Sequence, residues 1–255
     1  MVSPAGGIPT RRTAYFLKPS GSSIDARAPV FELPSASLSS SQSLIDLPSR
    51  VSFKGWRNPM CKWRAWVEKM HSLHQCTWKK AGVYEAIISS TYKIPINQEM
   101  ILGFGLKWCP ETNSFLFPWG EATVTLEDVL VLGGFSASGN SVLTPLETKE
   151  MIDIDRKLSN ARKRKRGEPD RHFHEEWLNF FMDSGSEIEH EAFLVLWLSR
   201  HVLSRTFYTV VRQVHSIAIH IARGTRIALG PAVLLMDAFS TEVFRHLPLG
   251  NVVPF

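Results

Sequence analysis

The sequence predicts a mostly α-helical single domain with a small β-hairpin element, preceded by a disordered N-terminal tail. Three observations lead there. Apolar side chains recur at helical spacing over most of the chain beyond residue 50. Capping residues and glycines stand where those stripes begin and end. One stretch alone, 115–124, has the aromatic and β-branched composition of paired strands around a turn. With 255 residues, 44% of them hydrophobic, the chain has enough apolar material for one substantial core. Eight tryptophans and fifteen phenylalanines make that core aromatic.

Residues 1–50 read as a tail. Pro4, Pro9, Pro19, Pro29, Pro34 and Pro48 interrupt any helix, and 35–43 is almost a serine tract. The helical region is expected over 51–255. Trp63, Trp66, Val67 and Met70 form one stripe, with Lys62, Arg64, Glu68 and Lys69 opposite. A second helix is expected from about 78 to 90, burying Val83, Tyr84, Ile87 and Ile88. Asn97 caps a third, through Met100, Ile101 and Phe104. Phe115-Leu116-Phe117 and Ala122-Thr123-Val124 then flank the turn Pro118-Trp119-Gly120. Thr125 and Asp128 form a capping-box pattern for a short helix that Gly133-Gly134 ends.

Thr144-Pro145-Leu146-Glu147 offers a cap, a proline at the first helical position and an acid at the third, so a helix is expected from there to about 161. A basic linker, 162–171, follows. The next helix, 172–182, should turn Phe173, Trp177, Phe180 and Phe181 inward. The segment 192–198 is apolar on every side and so belongs at the centre. Val210, Val211, Val214, Ile217, Ala218 and Ile221 make a stripe that stops at Gly224, and Pro231 opens the last helix.

The formal net charge is +5, and the run Arg162-Lys163-Arg164-Lys165-Arg166 carries all of that excess. A duplex-binding surface spreads its cations over a face, whereas here the basicity is a local tag, expected to fit an importin groove for nuclear import and weighed against a solvated loop. Cys61, Cys76 and Cys109 are odd in number and widely spaced, against a disulfide framework or a zinc knuckle. No apolar run approaches the roughly 18 residues of a membrane span.

Four segments carry a family resemblance. They are Trp78-Lys79-Lys80-Ala81-Gly82-Val83-Tyr84-Glu85-Ala86-Ile87 and Phe117-Pro118-Trp119-Gly120-Glu121-Ala122-Thr123-Val124-Thr125-Leu126-Glu127-Asp128-Val129. With them go Phe193-Leu194-Val195-Leu196-Trp197-Leu198-Ser199-Arg200 and Ile217-Ala218-Ile219-His220-Ile221-Ala222-Arg223-Gly224-Thr225-Arg226-Ile227-Ala228-Leu229. Together, over about 56–235, they resemble the plant mobile domain, also called the aminotransferase-like plant mobile domain. The resemblance implies a plant nuclear protein of the meristem-maintenance group, whose members act in transposable-element silencing and genome integrity. It implies nuclear protein partners, among them a phosphatase-like one. Relatives are also carried inside plant transposons. Two departures stand out: His201-Val202-Leu203-Ser204 replaces the family's Phe-Pro segment, and the sequence after Leu235 leaves the family pattern. From the second, the domain is expected to lack the family's last helices, as a truncated or transposon-derived copy would.

Catalytic readings find little support in the residues. Pyridoxal chemistry needs a Schiff-base lysine, an acid for the pyridine nitrogen and a phosphate cup, and neither Lys79, Lys80 nor Lys107 has those companions. His172 and His174 are two apart and His215 and His220 five apart, and neither spacing gives the i, i+4 pairing of a helical zinc site. Gly103-Phe104-Gly105 lacks the strand that a dinucleotide fingerprint requires. The expectation is a domain with no catalytic residues, no cofactor and no metal. Trp119 and Glu121 are candidate interaction residues, weighed against a role in packing the turn. Arg223 and Arg226 are candidates for an acidic or phosphate partner, weighed against salt bridges inside the fold. The leading function is a non-enzymatic nuclear interaction module; the alternative is a transposon-derived nucleic-acid-binding domain.

Overall fold

The computed structural model describes residues 58–95, 97–105, 107–109, 112, 114–117, 120–162, 173–203 and 210–239, and the side chains of 98, 102 and 235–239 fall outside that description. The tail expected over 1–50 therefore lies outside the described residues. The chain divides into 51–117 with 121–255, whose fold follows, and 1–50 with 118–120, of which only Gly120 is described.

The fold is mostly helical, with a three-stranded sheet, as the periodicities predict. Helix α1, Trp63–Ala81, buries Trp63, Trp66, Val67 and Met70, the four residues of its stripe. It runs further than expected. Trp78, assigned from the sequence to the following helix, belongs to α1 and is fully buried on it. The break comes at Gly82, whose left-handed backbone (φ 73°) closes the helix and returns its N–H to the carbonyls of Trp78 and Lys79. Helix α2 is then only Tyr84–Ser89, burying Ala86 and Ile87. Helix α3, Gln98–Gly105, starts where Asn97 accepts a hydrogen bond from the Met100 N–H, at 3.0 Å. Its Met100 and Phe104 are exposed, so this stripe does not enter the main core. Phe104 instead meets Phe115 and Phe117 edge-on, with centroids 5.6 and 6.0 Å away.

The β element is larger than the expected hairpin. Strands β1 (Trp108–Cys109), β2 (Ser114–Phe117) and β3 (Gly120–Ala122) lie in that order, with β1 and β2 antiparallel and Trp108 opposite Phe115. Two residues are too few to show a period-2 signal, which is why β1 escapes a reading of the sequence. Thr123 and Val124, expected to be paired, stand beyond the strand. Helix α4, Leu126–Gly133, carries the full capping box, Thr125 with Asp128, and ends at the left-handed Gly134.

Helix α5, Lys149–Arg162, begins later than expected, because the Thr148 hydroxyl rather than that of Thr144 accepts from a first-turn N–H, that of Met151. The Thr144 hydroxyl turns back to the Ser141 carbonyl (2.6 Å), and its own carbonyl accepts from Ser216 (2.7 Å). Helix α6, His174–Phe181, buries Trp177, Leu178 and Phe181. Phe173 and Phe180, expected inward, are exposed: Phe173 is the N-cap before the helix, and Phe180 lies on the flank of the face that buries His174, Trp177, Leu178 and Phe181. Helix α7, Glu189–Trp197, is buried at every position, including its first three, and passes into a π-helical turn, Leu198–Val202. A 3-10 turn, Arg212–Val214, leads into α8, His215–Ala222, so Val210 and Val211 precede the helix they were assigned to. Helix α9, Leu229–Phe239, starts two residues before Pro231, leaving the proline in the first turn, where it does no harm.

The core is built around α7. The Phe193 ring is stacked against Trp63 (5.0 Å) and Trp78 (5.4 Å), with Trp66 meeting it edge-on at 5.3 Å. Three tryptophans from α1 thus enclose one ring from α7. Each such aromatic pair adds about 0.5–1.5 kcal/mol beyond the area it buries.

Candidate functional site

Helix α7 begins with Glu189-His190-Glu191, three polar residues that are all buried. Charged side chains sit inside a fold only when partnered, and each of these reaches a different partner set. Glu189 accepts from the Trp66 indole N–H (2.9 Å) and from Lys69 Nζ (2.6 Å); Lys69 also donates to the Met182 carbonyl. Glu191 accepts from Arg223 Nη1 at 2.5 Å, and the second Nη of Arg223 reaches Glu150 of α5 at 2.7 Å. The first turn of α7 thereby ties α1, α5 and the end of α8 together.

His190 is the middle member. Its Nε2 accepts from the Trp78 indole N–H at 2.9 Å. Its ring lies flat against that of His74, centroids 3.6 Å apart and 3° from parallel. Burial, then the neighbouring His74 and Arg223, push its pKa down to about 3. His74 is also lowered, by burial, against the pull of Glu191 and Glu189. An imidazole whose Nε2 lone pair is committed to an indole is a structural acceptor rather than a proton carrier.

A second polar group lies between α5 and α8. His215 is buried, and its Nδ1 donates to Asp155 Oδ1 at 2.8 Å. That bond holds the Asp155 carboxyl below the usual range. Arg212 stands 3.9 Å from the other oxygen. These residues, with Leu146, Gln213 and Ser216, line an open cavity of about 320 Å³. Nε2 of His215 is sealed from solvent and has no partner among the described residues, so it offers nothing to a ligand in that cavity. Ser216 is engaged with the Thr144 carbonyl and cannot act as a nucleophile there without leaving it.

The residues singled out from the sequence fare differently. Trp119 lies outside the described residues, as do Lys163, Arg164, Lys165, Arg166 and His172. Arg162 is the last residue of α5. Glu121 is exposed on β3 and accepts from the Ser114 hydroxyl at 3.2 Å. Arg223 makes the internal salt bridges weighed for it, whereas Arg226 is exposed. His220 meets the Pro145 carbonyl through Nε2 at 3.1 Å. Among the described residues no group of three or more histidines, cysteines or acids could hold a metal. No described helix is long and apolar enough to cross a membrane. The cluster at 189–191 escapes a sequence reading because surface and buried acids look alike until their partners, more than a hundred residues away in α1, are known.

Outside this network, apolar side chains stand in solvent along and just before α4. Leu132 is 81% exposed, and Val131 and Val124 are half-exposed. The helix buries Val129 and packs Leu126 against Gly230 of α9. Its opposite face places Glu127, Asp128, Val131 and Leu132 together, three and four residues apart.

The plant mobile domain family's profile matches residues 82–236, from the glycine that ends α1 into α9. The chain is 37% identical to Protein MAINTENANCE OF MERISTEMS of Arabidopsis thaliana over 57 residues, which are 22% of this chain and 12% of that protein. The chain thus spans a small part of that relative's length. No solved structure matches.

Proposed function

We propose, from the premise that the chain belongs to the plant mobile domain family, that it is a non-enzymatic protein-interaction module. The observation that carries this reading is the contrast between a buried polar cluster and an exposed apolar face. The buried Glu189, His190 and Glu191 at the start of α7 are spent on α1 and on Arg223, while α4 turns Val131 and Leu132 into solvent. Apolar side chains beside acids, on a rigid capped helix, suit a partner that covers them.

The setting we propose is the nucleus, in meristem maintenance and transposable-element silencing, with nuclear proteins and a phosphatase-like protein as partners. The short likeness to a protein named for meristem maintenance supports the first role. The run Arg162–Arg166, which carries the chain's positive excess, supports import through importin. The interaction reading is tested by capture from plant nuclei with the tagged full chain and with Val131→Asp/Leu132→Asp. The reading expects proteins that the first retains and the second loses. Identical captures would overturn it. Import is tested with a bulky reporter fused to the native chain and to one with all five cations changed to Gln; only the native fusion should concentrate in nuclei.

A further inference from the structure

We propose that the exposed face of α4 takes a basic amphipathic helix of a partner protein, its cations against Glu127 and Asp128 and its apolar side chains over Val131 and Leu132; this rests on the interaction reading and adds the chemistry of one partner. The acids stand toward the start of the helix and the apolar groups toward its end. Glu127 is four residues before Val131, and Asp128 four before Leu132, so each acid lies about 6 Å along the axis from an apolar neighbour. A partner helix that carries a cation and an apolar residue at i and i+4 matches both spacings. An extended segment laid here would find no free backbone groups to pair with, whereas a helix satisfies its own.

The charge on this face is of one sign. Thr125 donates to Oδ2 of Asp128 from its hydroxyl (2.7 Å) and from its backbone N–H (2.8 Å). Those two bonds hold the Asp128 carboxyl below the usual range and fix its place, while Oδ1 takes no part in them. Glu127 is exposed and has no ion-pair partner among the described residues. The helix packed against α4, α9, has no lysine or arginine along Leu229–Phe239, and there is none in 120–148. Glu121 on β3 adds a third acid before α4, while Lys107 precedes β1, the strand on the other edge of the sheet. Arg226 and Lys79 belong to the opposite end of α4. The Arg226 guanidinium lies on Gly82 and Lys79 lies over the Tyr84 ring, and the next residue of α2, Glu85, meets the C-cap Gly134. That end is about 10 Å along the axis from Glu127. The N-terminus of α4 offsets roughly half a charge of the Glu127 and Asp128 pair, leaving about one and a half unopposed. The same acids repel phosphate, which turns this face away from nucleic acid.

The test uses the full chain with Arg162, Lys163, Arg164, Lys165 and Arg166 changed to Gln, so that the basic run cannot itself meet the acids. A fluorescein-labelled, alanine-based peptide of about 18 residues, long enough to be helical alone, carries lysine and leucine four apart on one face. It is titrated by anisotropy beside a peptide of the same composition with those residues scattered around the helix. The patterned peptide is expected to bind more tightly, and to weaken as salt shortens the range of attraction to about 8 Å or less. Val131→Ser/Leu132→Ser, which leaves the charge unchanged, should weaken it about tenfold or more. Glu127→Gln should weaken it about two- to fivefold, and Glu127→Lys further. Equal binding by parent and variants overturns the proposal, and so does equal binding of the two peptides. Self-association of the chain that Val131→Ser/Leu132→Ser abolishes would make a second copy the occupant and overturn it as well. A flat peptide titration, with nuclear capture still dependent on Val131 and Leu132, refutes the basic partner while leaving the interaction reading intact.

Discussion

Acidification should weaken the fold through His190, by an amount the structure sets. The folded pKa is about 3, against 6.5 for the ordinary imidazole. Between those values the unfolded chain binds a proton that the folded chain refuses, so stability rises with pH and is lost as pH falls below 6.5. At pH 5 the unfolded imidazole is almost fully protonated and the folded one is not, which costs about 2 kcal/mol. The full difference, near pH 3, is about 5 kcal/mol as an upper bound. The charges facing the ring are His74, Glu189, Glu191 and Arg223, with Lys69 and Glu150 one contact further out. Since they titrate too, the measurement is a difference. Urea unfolding of the native chain and of His190→Gln is compared at pH 7.5 and pH 5. Glutamine keeps an acceptor for the Trp78 N–H but has no proton to bind in this range. The native chain should lose about 2 kcal/mol more than the variant. Parallel losses would refute the claim that His190 is held neutral by burial against α1.

Three further outcomes follow from the packing. Trp66→Phe keeps a ring but leaves Glu189 without its indole donor, and should lower the unfolding free energy by about 1–3 kcal/mol in urea titration. Gly139→Ala should be more damaging than an ordinary loop change. At φ 134° its Cβ would lie 2.5 Å from the Arg226 carbonyl oxygen, and the loop bonded to residues 226–228 must shift. A drop in melting temperature well beyond that of Gly185→Ala, where the space is open, is the check. Phe193→Ala should cost about 3–5 kcal/mol by the same titration, because Trp63 and Trp78 lose the ring between them.

Much of the helical fold is legible from spacing. The α1 stripe, the cap at Thr125 and the all-apolar 192–198 each rest on a local rule that the tertiary structure respects. The misplacements have identifiable causes, some local and some tertiary. Trp78 fits either of two helices until Gly82 is seen to be the stop. Thr144 and Thr148 both offer a cap, and what decides is that α8 holds the carbonyls of Thr144 and Pro145. Phe173 and Phe180 are as apolar as Trp177, and only the packing of α6 shows which face is covered. The site is less legible than the fold. Glu189, His190 and Glu191 look like any polar helix start, and their meaning comes from tryptophans on α1.

The proposed function keeps the polar cluster of α7 structural and places contact with partners on the face of α4. Amide hydrogen exchange, with and without a protein captured from nuclei, separates these most directly. Binding should slow exchange over 124–134 and leave 189–191 unchanged, because the latter is already sealed in the core. Protection that appears at 189–191 and around Arg223, with none on α4, would overturn the proposed function.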